Sequence, residues 1–204
     1  MSAKQCVAVL FGGKSGEHDV SLLSATSVIQ AIDRAKYIPL PIGISQEGEW
    51  MTGEEAIFYL AERVKQPLTD VMHDLPQVRS YRGSSFPNDV FAKVDVVFPV
   101  LHGTYGEDGT MQGMLEMFQL PYVGAGVLAS ATGMDKAISK VLFQHAGLPQ
   151  AKYLVFTQEK SETIIAQVEE KLGYPCFVKP ANLGSSVGIS KATDRERLSE
   201  AVAT

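Results

Sequence analysis

A chain of 204 residues with 45% apolar and 20% charged side chains has the make-up of one large globular domain or two small ones. Its net charge of -5, without any Lys/Arg block, argues against nucleic acid or an anionic membrane surface as the main partner. The two cysteines, Cys6 and Cys176, lie far apart in apolar runs with no CxxC or metal spacing, which reads as buried thiols in a reducing compartment.

The first apolar run, Cys6 to Phe11, is too short for a signal-peptide core or a membrane span, so a cytoplasmic location is the expectation. It reads as a buried strand broken by Gly12-Gly13. A helix should follow, because Leu22, Ala25, Ile29 and Ile32 share a stripe. Ser15 or Asp19 is placed to cap it, and Glu17 and Asp19 lie near its positive end. The glycine turn lacks GxGxxG, and its acidic residues would repel a pyrophosphate. An acidic helix start suits an ammonium group, and equally well satisfies the helix dipole.

Ile38, Leu40, Ile42 and Ile44 alternate with Pro39, Pro41 and Gly43, a strand whose prolines imply an edge or missing ladder bonds. Gln46-Glu47-Gly48 should turn it toward Trp50-Met51. From Gly53 to Asp89 the pattern weakens to one amphipathic stretch (Ile57, Leu60, Ala61, Val64) and then loop.

The run Val96-Val97-Phe98-Pro99-Val100-Leu101 suits a strand covered on both faces, as in a parallel sheet. His102, Glu107 and Asp108 then arrive among glycines, and Met111, Met114, Leu115 and Phe118 fall on one helix face. Polar groups are thus gathered at the C-terminal end of a buried strand, where open α/β sheets place ligands. The same spacing also fits a loop whose glycines only turn the chain.

Leu120 to Val123 reads as a short strand, with a domain boundary after it: residues 1–124 form one domain and 125–204 another. A helix holding Lys136, Val141 and Leu142 should stop at Gly147. Tyr153 to Phe156 reads as a strand, Ile164 to Leu172 as a helix, Cys176 to Lys179 as a strand with a hairpin partner near Ser190, and Asp194 as the cap of a last helix that reaches Thr204 without a stop signal. Between the paired strands, Lys179-Pro180-Ala181-Asn182-Leu183-Gly184-Ser185-Ser186-Val187-Gly188 supplies a cation, two hydroxyls and a permissive backbone. Such a loop makes an anion-binding nest, or merely a Gly/Ser hairpin with a surface lysine.

Together the segments LFGGKSGEHDVSLLSA, LHGTYGEDGTMQGMLE, LPYVGAGVLASATGMDKAISK and YPCFVKPANLGSSVGISK resemble, in order, those of the D-alanine–D-alanine ligases of the ATP-grasp superfamily. The resemblance covers most of the chain outside roughly residues 45–92. It implies an α/β fold: an amino-terminal parallel-sheet domain, Rossmann-like and preceding the ATP-grasp, then the α+β central ATP-grasp subdomain, with the carboxy-terminal ATP-grasp part absent. It further implies ATP-dependent joining of two D-alanines through an acyl phosphate, with ADP and phosphate released, for peptidoglycan precursors. Carried over residue by residue, Glu17 matches the carboxylate that receives the first substrate's ammonium, and His102 a histidine beside that substrate. Lys136 and Lys179 match the ATP-phosphate lysines. Ser185, Ser186 and Gly188 match the phosphate-covering loop, with Ser185 also helping to orient Glu17 as a catalytic pair. Magnesium (or manganese) ligands, an oxyanion arginine and the second-substrate loop are expected beyond this chain, so these 204 residues alone are expected to be inactive.

The resemblance also suggests a homodimer. D-alanine–D-lactate and D-alanine–D-serine ligases remain alternatives, as does a non-catalytic nucleotide-binding module. A carboxylase subunit of the superfamily would share the Lys179 loop but not GGKSGEHDVSL or LHGTYGEDG.

Overall fold

The computed structural model describes residues 3–66, 68 and 76–203. Thr204, and with it the expectation about how the last helix ends, lies outside the described residues, as does part of the weakly patterned stretch 53–89. The chain divides into two compact units, Met1–Ala131 and Thr132–Thr204.

In the first unit the order is β1 (Gln5–Gly12), α1 (His18–Ala31), β2 (Tyr37–Ile44), β3 (Trp50–Thr52), α2 (Glu54–Val64), β4 (Tyr81–Gly83), α3 (Asn88–Phe91), β5 (Val96–Pro99) and α4 (Thr110–Met117). Helix α5 (Val127–Met134) then carries the chain into the second unit. The five strands form one sheet in the order β4-β3-β2-β1-β5. β1 runs parallel to β2 from Gln5 opposite Tyr37 to Gly12 opposite Ile44, and parallel to β5 from Val7 opposite Val96 to Leu10 opposite Pro99. β3 and β4 are antiparallel.

β1 is apolar without interruption because both of its faces are covered. Val7, Val9 and Phe11 pack with Leu22, Ala25 and Ile29 of α1 and Ala56, Ile57 and Leu60 of α2. Cys6, Ala8 and Leu10 pack on the opposite face with Val90 and Phe91 of α3 and Met111 and Leu115 of α4. Leu10 and Phe11 are both fully buried, so each side of the sheet gains about 1.5–3 kcal/mol from that one side chain.

The helix that leaves β1 therefore covers one face, and the helix that leaves the adjacent β5 covers the other. This divergence opens a crevice at the C-terminal ends of β1 and β5, the switch point at which open sheets bind ligands. The prolines of β2 do not mark a sheet edge. β2 pairs with β1 along its whole length but with β3 only at Gly43 and Ile44, so Pro39 and Pro41 lie where the second side has no ladder. Leu120 to Val123 contributes a single parallel bridge, Tyr122 to Val97, and no longer strand.

In the second unit, α6 (Lys136–His145), α7 (Ser161–Lys171) and α8 (Arg195–Ala203) accompany an antiparallel hairpin of β6 (Cys176–Val178) and β7 (Ser190–Ala192). Its core joins Ile165, Val168, Ala192 and Leu198, with Leu154 and Phe156 packed against them. Residues 153–156 are not a strand: their alternating side chains reach that core without joining a backbone ladder. Asp194 caps α8 as expected, its Oδ1 accepting from the Arg197 N–H at 2.9 Å.

Candidate functional site

The loops after β1 and β5 meet at the switch point. Gly12 turns the first loop with φ +88°, and a Cβ there would stand 2.1 Å from the Ile44 carbonyl oxygen, so only glycine fits. Ser21, one turn into α1, accepts the Gly12 N–H at 2.8 Å and donates to the Val100 carbonyl, tying β1, α1 and the end of β5 together. Glu17 stands at the N-cap of α1 but makes no side-chain cap bond. The N-cap position is thus neither Ser15 nor Asp19. Ser15 Oγ accepts from the Glu17 N–H at 3.2 Å and donates across to the His102 carbonyl at 2.6 Å.

The Glu17 carboxylate is half-buried and lies against Gly103, where a Cβ would come within 2.5 Å of Oε2. Glycine at 103 is what lets this carboxylate approach the second loop. His102 Nε2 is 3.1 Å from Ser24 Oγ, and Glu107 Oε1 stands 4.0 Å from Nδ1. The other Glu107 oxygen accepts the Gly103 N–H at 2.8 Å. Glu17 and His102, 85 positions apart by number, thus share one crevice. Sequence reading missed Ser21 and Ser24 and gave Ser15 only as a helix cap, because hydroxyls beside a helix start carry no pattern that separates a loop tie from a surface serine.

The other five candidates belong to the second unit. Asp135 caps α6, its Oδ1 accepting from the N–H groups of Ala137 at 2.8 Å and Ile138 at 2.9 Å. With its amide turned to match its neighbours, Asn182 donates to Asp135 Oδ2 at 2.9 Å. The Lys136 N–H donates to the Ala181 carbonyl at 3.0 Å, and its ammonium donates to the Leu183 carbonyl. The structure therefore brings Lys136 to the loop that follows β6. Lys179, exposed at the end of β6, holds its ammonium 5.9 Å from the centre of the Phe177 ring. Ser185 and Ser186 adopt left-handed backbone angles, φ 45° and 62°, with Gly188 at 69°. Two such serines in succession cost about 1–3 kcal/mol each, and conformations of this kind gather at ligand clamps. Among the described residues no group of three or more His, Cys, Asp or Glu side chains is disposed to hold a metal ion.

Fold and loops together define an α/β protein whose β1 and β5 diverge at the place where open sheets bind ligands, followed by a unit with a Gly/Ser hairpin loop. The chain belongs to the D-alanine–D-alanine ligase family: the model described as D-ala D-ala ligase N-terminus matches residues 6–125, and that described as D-ala D-ala ligase C-terminus matches residues 142–204. It is 49% identical to the D-alanine–D-alanine ligase of Chloroherpeton thalassium, over 98% of this chain and 57% of that protein. It is 52% identical to that of Heliobacterium modesticaldum, over 96% and 55%. Among solved structures, the VanG D-Ala:D-Ser ligase of Enterococcus faecalis matches with a TM-score of 0.78 and 34% identity over 98% of this chain and 59% of that one. The D-alanine–D-alanine ligase of Coxiella burnetii matches with 0.77 and 31% over 98% and 60%. The chain thus spans little more than half the length of the relatives it matches.

Proposed function

We propose that the full-length protein carrying this chain joins two D-alanines at the expense of ATP in the cytoplasm, supplying peptidoglycan precursors. Residues 1–124 serve as the substrate domain and 125–204 as part of the central ATP-grasp subdomain. The first D-alanine's carboxylate oxygen attacks the γ-phosphorus, ADP leaves, and an acyl phosphate results. The second D-alanine's amine attacks that carbonyl, inorganic phosphate leaves, and the nitrogen loses a proton. Glu17 receives the first substrate's ammonium, with His102 beside it. Lys136 and Lys179 neutralise phosphate charge, and Ser185, Ser186 and Gly188 cover the phosphates, excluding water from an intermediate that hydrolyses readily. Magnesium or manganese accompanies ATP in this reading. The described residues offer no ligand cluster for it, and no step here is routed through it.

The observation that carries the proposal is the crevice itself: a carboxylate and a histidine brought together from two loops at the sheet's switch point, in a chain of this family. D-alanine is favoured over D-serine as second substrate because the relatives at 49% and 52% identity are named D-alanine–D-alanine ligases, against 34% for the D-Ala:D-Ser enzyme.

The test is Glu17→Gln in the full-length protein. A carboxylate that only faces a helix dipole contributes about 0.3–1 kcal/mol to stability and nothing to substrate affinity. One paired with an ammonium in a water-poor site costs about 3–5 kcal/mol to remove, more than a hundredfold. KM for the first D-alanine is expected to rise by that factor while KM for ATP and the melting temperature stay put. Equal losses for both ligands would return Glu17 to a structural role.

A further inference from the structure

The residue next to Glu17, the first of α1, is fully buried. His18 has no exposed surface, an unusual state for a titratable side chain at a helix start. Both ring nitrogens are engaged: Nδ1 is 2.7 Å from the Gly13 carbonyl oxygen, and Nε2 is 2.9 Å from the hydroxyl of Tyr59. A carbonyl oxygen only accepts, so Nδ1 carries the proton. In the neutral ring Nε2 is then the acceptor, and the Tyr59 hydroxyl is its donor. Burial, foremost, keeps that phenol protonated by raising it above its usual range. The two rings meet edge to face with centres 5.9 Å apart, and the Arg63 guanidinium lies 5.0 Å over the outer face of the Tyr59 ring. The imidazole also fills the space over Gly12, where a Cβ would meet Cε1 at 2.9 Å.

We propose that Tyr59 and His18 are positioning residues: through the bond to Gly13 they fix the height of the loop 12–17 and so aim the Glu17 carboxylate at the first substrate's ammonium. This rests on the reading of Glu17 given above. Gly13 donates to Ile44 and Gly12 to Ser21, but the Gly13 carbonyl is held by His18. The link also gives α2 a part in the site, although its Tyr59 lies 41 positions from His18 and α2 packs on the face of the sheet that bears α1.

The experiment uses the full-length protein and three single variants. Tyr59→Phe removes one hydroxyl. His18→Asn keeps an amide donor near the Nδ1 position, for Gly13, and removes the acceptor for Tyr59. Glu17→Gln calibrates the site. Tyr59→Phe and His18→Asn are each expected to raise KM for the first D-alanine about three- to thirtyfold, the loss of one buried hydrogen bond. KM for ATP should stay within about twofold, and the double variant should be no worse than either single one, because both cut the same link. A flat D-alanine KM in Tyr59→Phe overturns the inference. So do equal losses for ATP and D-alanine, multiplicative losses in the double variant, or a lowered melting temperature with normal kinetics. If Glu17→Gln is flat, the substrate reading fails and takes this inference with it. If Glu17→Gln is crippled while Tyr59→Phe is normal, only the inference fails.

Discussion

Asp108 shows how single groups hold the second loop in shape. Its carboxylate accepts the N–H groups of Tyr105 at 2.8 Å and Thr110 at 3.0 Å, one from each side of the turn into α4. Burial pushes this acid up, but those N–H bonds and the Thr110 hydroxyl outweigh it and hold the carboxyl below its ordinary value of 3.8. A depressed acid contributes stability that is complete above the unfolded value and lost as pH falls through the folded one. Asp108→Asn is therefore expected to melt below the parent at neutral pH, with the gap closing as pH drops below about 3.8; melting curves across that range decide it, and a gap that stays constant removes the acid from this role. At this scale the sequence was informative where charge and glycine coincide. Glu17 and His102 stand out among glycines in ordered motifs. His18 does not, because its function depends on Tyr59, which lies in the stretch where periodicity is weakest.

Among the elements, α6 is joined to the hairpin loop through its own N-terminus. Asp135 caps the helix with one oxygen and receives Asn182 with the other, while the Lys136 N–H reaches Ala181. Asp135→Ala should thus do more than a cap deletion. The cap itself accounts for roughly 0.5–2 kcal/mol, and the loop loses a tie as well. Denaturant melts of the variant should show that loss of stability, and in the full-length protein KM for ATP should rise with it. A destabilised variant with unaltered ATP kinetics would uncouple the helix start from the loop. Elements were legible where burial and backbone pairing coincide, as in β1, or β5 followed by the face of Met111, Met114 and Leu115. Residues 153–156 show the limit. Alternation reports which side chains are buried, and Leu154 and Phe156 are indeed packed on a core, but it is blind to whether the backbone finds a ladder. The prolines of β2 left an edge and missing ladder bonds both open, and the structure has the second: they exclude ladder bonds on one side of a strand, not a neighbour on the other.

The whole molecule, as given, holds two compact units and spans 57% and 55% of the two relatives compared. A polypeptide restricted to these 204 residues is expected to show no D-alanine-dependent release of ADP, because it matches little more than half of each of those relatives. A coupled ADP assay on that polypeptide settles the point, and robust turnover would show that the groups present here suffice. The two cysteines have a practical consequence. Each unit carries one, both unpaired: Cys6 buried in β1, with burial and then the charge of Asp95 pushing its thiol up to about 11, and Cys176 half-buried in β6 with its thiol raised by burial. At neutral pH the Cys6 thiolate is scarce and shielded, so an alkylating reagent reaches it only when β1 is exposed. Cys6 thus gives the first unit a built-in clock, and mass spectrometry of its alkylated peptide times the opening of that unit, with the half-buried Cys176 as the internal reference.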